Sequence, residues 1–115
     1  MVALSRNVSK KHAMKMLLTG DMISADHAVT IGLINQSVKH VILEDTVTKL
    51  AEKISSKSSM TLSTGKAAFY KQCDMSLSEA YDYTSKIMVD NMLALDASEG
   101  IGAFIEKREP IWKDK

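Results

Sequence analysis

Apolar and polar residues along this chain alternate with the period of helices. Residues 43–56 show the pattern most clearly. Val47, Leu50, Ala51 and Ile54 fall at i, i+3, i+4 and i+7, with Glu44, Asp45, Lys49, Glu52 and Lys53 on the other side. Residues 10–18 repeat it with Ala13, Met16 and Leu17, widened by Met14 and Leu18, and Ser9 stands where a helix cap is needed. A shorter run, 25–31, lies between Ser24 as cap and Gly32 as stop, with Asp26 in the first turn, where the helix dipole favours negative charge. Gly20 stops the preceding run in the same way as Gly32, since glycine enters the left-handed conformation at no Cβ cost. Leu33–Val38 is the only plausible strand. A lone strand must pair outside this chain or run as an extended connector. Residues 1–8 are too short to assign.

The second half reads as three more helices. Ser58 or Ser59 caps a run over 60–72, with Leu62 and Phe69 on one face; Gly65 inside it suggests a close backbone approach or a tolerated defect. Ser76-Leu77-Ser78-Glu79 is a capping box, and it predicts one long helix over 77–96. Leu77, Tyr81, Thr84, Met88, Met92 and Leu95 form one stripe of that helix, with Ala80, Ile87 and Ala94 in a second. Two stripes imply packing on two sides. A last helix, about 98–108, carries Ile101, Phe104 and Ile105 on one face and ends before Pro110. The expectation is one mainly α segment spanning 1–115, with five to six helices and at most one short strand. Its apolar faces outnumber the partners available within it.

Composition adds bounds. The chain has 115 residues, enough for one small domain. Its net charge of +1 gives no reason to expect a nucleic acid or an acidic membrane surface as partner. No apolar run approaches the ~20 residues that span a bilayer. The first residues lack the apolar stretch and cleavage site of a secretory signal. Cys73 is the single cysteine, so no internal disulfide is possible, which fits a reducing compartment.

Two stretches resemble a known family. LLTGDMISADHAVTIGLIN at 17–35 is similar to the segment that follows the catalytic core in the crotonase (enoyl-CoA hydratase/isomerase) superfamily, and EGIGAFIEKREPIW at 99–112 resembles that family's C-terminal ending. They stand in the right order and at the right spacing. GKAAFYKQ at 65–72 and MVDNMLALDASEG at 88–100 are closer still to one branch. The resemblance covers essentially the whole chain and only the last part of the family's fold. It implies the C-terminal helical region of the ClpP/crotonase fold, without the ββα spiral core. In the family, two backbone N–H groups stabilise a thioester enolate, two glutamates handle water and proton in hydratases, and all of these lie upstream of the matching segment. The branch often does not keep both glutamates.

No catalytic constellation and no metal site is legible. His12, His27 and His40 show no ligand spacing with one another or with Cys73. Cys73 has no evident base, and the methionines and aromatics read as helix packing. By residue pattern alone, Phe104 is core and Lys107 a solvated charge. The resemblance implies another role: they match the family's Phe and Lys that contact coenzyme A at its adenine and phosphate end, with Arg108 and Lys113 able to add charge. The resemblance further implies an acyl-CoA thioester as substrate and no other cofactor. It implies fatty-acid metabolism, self-association as a trimer or dimer of trimers in the full-length protein, and a mitochondrial setting with any address upstream of Met1; otherwise the chain would be cytoplasmic. The segment alone is expected to be inactive as a lyase or isomerase. The alternative is a non-catalytic helical module for interaction or self-association.

Overall fold

Serine hydroxyls open several of the helices. In the computed structural model, which describes residues 1–114, Ser9, Ser24, Ser58 and Ser76 each accept a hydrogen bond from the backbone N–H three residues on, at His12, His27, Thr61 and Glu79. Each satisfies a donor that the first helical turn leaves unpaired. At Ser76 the box is complete: the Glu79 carboxylate accepts the Ser76 N–H at 3.0 Å.

Seven α-helices result: α1 (Val2–Asn7), α2 (Lys10–Thr19), α3 (Ala25–Thr30), α4 (Leu43–Ser55), α5 (Ser59–Gln72), α6 (Leu77–Met92) and α7 (Leu95–Glu106). A single 3-10 turn, His40–Ile42, leads into α4. Helix α1 is additional to the six that the sequence pattern predicts. Among the described residues there is no strand, and Leu33–Val38 runs as a connector.

The chain divides into two compact units, with the boundary after Val47. In the first, α1 packs on α2, and Val8, Ala13 and Ala28 are buried. Gly20 (φ 66) and Gly32 (φ 77) take the left-handed turns that end α2 and follow α3. In the second, α5 packs along α6 and α6 meets α7. Its buried residues include Ala68, Ala103, Ser58 and Asp96. Thr61 Oγ1 on α5 donates to Asn91 Oδ1 on α6 at 3.2 Å.

The boundary between the two helices predicted over 77–96 and about 98–108 falls earlier, at Leu93 and Ala94. Leu93 closes α6, and Ala94 swings to an extended conformation (φ −71, ψ 151) before α7 begins at Leu95. No glycine, proline or side-chain cap marks the break. Distant groups hold it, because Asp96 in the first turn of α7 is engaged by the C-terminal tail. Helix α7 ends at Glu106, earlier than the pattern suggests, because Lys107 turns left-handed (φ 55).

The apolar stripes stay largely open. Val47, Leu50 and Ile54 on α4 are each at least half exposed, as are Tyr81, Met88 and Met92 on α6. Two-sided burial of the α6 region is therefore not met within this chain. Gly65 has nothing within 4 Å of where a Cβ would stand, so among the described residues no backbone outside its own helix approaches it. It lines an apolar groove of about 440 Å³ between α5 and α6.

Candidate functional site

Phe104 and Lys107 lie one turn apart at the C-terminal end of α7. Phe104 is 85% exposed, which corrects the reading of it as core: α7 buries the face of Ala103 instead. The ring borders a shallow recess of about 330 Å³, shared with Thr61 of α5, Met92 of α6 and Gly100 of α7. Lys107 is exposed and, among the described residues, makes no ion pair. Its left-handed backbone, an unfavourable state for a residue with a Cβ, sets where its side chain leaves the helix end.

Arg108 is differently placed from the expectation that it could add charge to a ligand. Its guanidinium is forked onto Glu99 (Nη1 to Oε1, 2.5 Å; Nη2 to Oε2, 3.1 Å), and its Nε donates to Glu106 at 2.6 Å. The two carboxylates raise its pKa further. Arg108 in turn, together with the Ile111 N–H, holds the Glu99 carboxyl down at about 2. Lys113 is fixed by its backbone, whose N–H donates to Asp96.

The tail that follows α7 is tied back by carboxylates. Asp96, only 2% exposed, accepts the N–H of Lys113 at 2.7 Å on one oxygen and that of Asp114 at 3.0 Å on the other. The Ser58 hydroxyl donates to it as well, and these bonds lower its pKa. Glu99 accepts the Ile111 N–H at 2.8 Å. Asp114 (φ 57) accepts the N–H groups of Ser59 and Met60 at the start of α5, and the Ser59 hydroxyl together with these two amides lowers its pKa too. Trp112 donates from Nε1 to the Ser56 carbonyl at 2.7 Å, and its ring lies against Gly100. Nothing in the residue pattern links positions 96, 99, 112 and 114, although the spacing of acidic residues against the tail is visible afterwards.

In the first unit, His12 and His27 meet edge to face, with ring centroids 6.2 Å apart, beside a recess of about 500 Å³. Their sequence separation gave no sign of this. Among the described residues no three groups are arranged to hold a metal ion. Cys73 is exposed, and its thiol donates to the Phe69 carbonyl at 3.2 Å.

The family pattern described as enoyl-CoA hydratase/isomerase matches residues 1–115. This chain belongs to the enoyl-CoA hydratase/isomerase family. It is 49% identical over 111 residues to the rat mitochondrial enoyl-CoA hydratase domain-containing protein 3, covering 96% of this chain and 37% of that protein, and 46% identical to the human one over the same share. Among solved structures it matches human enoyl-CoA hydratase domain-containing protein 3 (TM-score 0.92, 46% identity, 96% of this chain and 44% of that one). It matches the enoyl-CoA hydratase of Mycobacterium smegmatis at TM-score 0.92 and 42% identity, over 96% of this chain and 43% of the other. The chain thus spans a little over a third of the length of the curated relatives it matches, and it has the helical C-terminal region of the crotonase fold. No helix among the described residues is long and apolar enough to cross a membrane.

Proposed function

We propose that this segment forms one edge of a coenzyme A site in an acyl-CoA-binding protein of the enoyl-CoA hydratase/isomerase type, and contributes contacts between subunits. The observation that carries the first part is the pairing at the end of α7: an aromatic face left 85% open, one turn from an ammonium that has no carboxylate partner among the described residues. An open aromatic face stacks on a purine, and an ammonium pairs with a phosphate. Isothermal titration with free coenzyme A tests it. Phe104→Ala and Lys107→Gly should each weaken binding by about tenfold, the equivalent of roughly 1.4 kcal/mol. Unchanged affinity in both variants would overturn the assignment.

The second part rests on the open stripes of α4 and α6. Open apolar stripes of this kind are covered by another surface in most soluble proteins. Light scattering after size exclusion, at several concentrations, should show a closed oligomer such as a trimer; a monomer throughout the range argues against it. The same stripes favour a second reading, a non-catalytic self-association module. Tight self-association without any coenzyme A binding would select that reading. In either case this chain alone is expected to give no crotonyl-CoA hydration above a no-protein control. The names of its relatives favour a mitochondrial setting, which microscopy of the tagged full-length protein would check.

A further inference from the structure

We infer that the C-terminal tail, residues 108–114, is a strap that sets the attitude of α7, and that Asp96, Glu99 and the Gly100–Trp112 contact are positioning elements for Phe104 and Lys107. The inference rests on the coenzyme A reading above and deepens it. Helix α7 begins without a capping side chain, directly after an extended residue, so its own first turn does little to fix its direction. The tail supplies the missing constraint. From α7, Asp96 and Glu99 grip three backbone N–H groups of the tail, at Ile111, Lys113 and Asp114. From the tail, Asp114 caps α5 and Trp112 reaches the Ser56 carbonyl just before that helix. Helix α7 is therefore pinned through the tail to the N-terminal end of α5, which also borders the recess beside Phe104. A left-handed residue stands at each end of this strap, Lys107 and Asp114. The first of them is itself one of the two proposed ligand contacts.

The Gly100–Trp112 contact allows a test that separates positioning from unfolding. A Cβ at Gly100 would lie 3.2 Å from Trp112 Cη2 and 3.3 Å from Cζ3. Gly100→Ala must push the indole back by a few tenths of an ångström, yet alanine favours a helix interior over glycine. The variant should therefore keep its helical content while it loses about fivefold to tenfold in coenzyme A affinity. Trp112→Phe removes the Nε1 donor to the Ser56 carbonyl and leaves the Gly100 position open, so it should weaken binding as well. That variant adds no atom near the ligand, so its effect separates loss of the strap from obstruction by the Gly100→Ala methyl. Asp96→Asn, which places an amide N–H₂ against one of the two tail N–H groups, should weaken binding and speed amide exchange in α7 and residues 111–114. If Phe104→Ala weakens binding while Gly100→Ala and Asp96→Asn leave it unchanged, the strap is not a positioning device. Unchanged affinity in Trp112→Phe overturns it equally. Phe104→Ala without effect, in a chain whose α7 exchange is intact, instead defeats the coenzyme A reading and the positioning role with it.

Discussion

Asp96 holds Asp114 by its backbone: the Asp114 N–H donates at 3.0 Å to the Asp96 carboxylate, while the Asp114 side chain caps α5. The two acids thus act in series, one as acceptor for the other's main chain, across 18 positions of sequence. With Glu99 they form a row of carboxylates whose charged forms are each favoured by hydrogen-bond donors.

That row makes stability depend on pH in a stated direction. All three groups titrate below their ordinary values, so between about pH 4 and pH 2 the unfolded chain binds more protons than the folded one. Their contribution is present above that window and is lost as pH falls through it, with Glu99 at about 2 marking the low end. Urea midpoints measured from pH 6 down to 2.5 should fall at the acid end, and the fall should be shallower in an Asp96→Asn/Glu99→Gln double variant. Equal slopes in both proteins would contradict the assignment.

Lys107→Gly should move stability and affinity in opposite directions. Glycine takes the left-handed state without a Cβ penalty, so folding is favoured by about 1 kcal/mol. The ammonium is removed at the same time, so coenzyme A binding weakens. Thermal unfolding and titration on one preparation read both signs. A loss of stability would mean that the lysine side chain packs more than its exposure indicates.

Ser76→Ala removes the serine half of the capping box and leaves the Glu79 N–H without its acceptor. Loss of an N-cap hydroxyl typically costs about 1 kcal/mol. The urea midpoint should fall accordingly, with early loss of amide protection in the first turn of α6. Ser76→Asp, which retains an acceptor at the cap, should keep most of the stability.

Gly65→Ala has two opposed consequences. In the isolated chain a methyl meets open space, and alanine in α5 stabilises the helix by up to about 1 kcal/mol. The same methyl narrows the groove between α5 and α6. If that groove is an association surface, the variant is more stable as a monomer and less oligomeric. Sedimentation and thermal melts distinguish this from a glycine that is only a local defect.

The signals legible in sequence were local ones. Ser9, Ser24 and Ser76 marked helix starts because a hydroxyl next to unpaired N–H groups acts within three residues. Gly20 marked a stop for the same short-range reason. A break between α6 and α7 was legible but its place was not: the pattern puts it after residue 96, since Leu93, Ala94 and Leu95 are ordinary helix formers and the apolar stepping continues through them. A constraint from residues 113 and 114 wins there, and periodicity does not register long-range hydrogen bonds. Phe104 failed for another reason. An apolar residue at helical spacing has one signature whether its face is covered or open, and only the family resemblance suggested a ligand. Leu33–Val38 has the composition of a strand, but no strand forms among the described residues to pair with it.

At Ile111 and Lys113 the strap is gripped by its main chain. Asp96 and Glu99 touch the amides of Ile111, Lys113 and Asp114, while the side chains of Ile111 and Lys113 face solvent. Such a grip is indifferent to what is written at positions 111 and 113, with one exception: proline has no N–H to offer. Drift at these two positions should therefore be wide in chemistry and narrow in a single respect, while Arg108, Trp112 and Asp114, whose side chains make bonds of their own, are held to their letters.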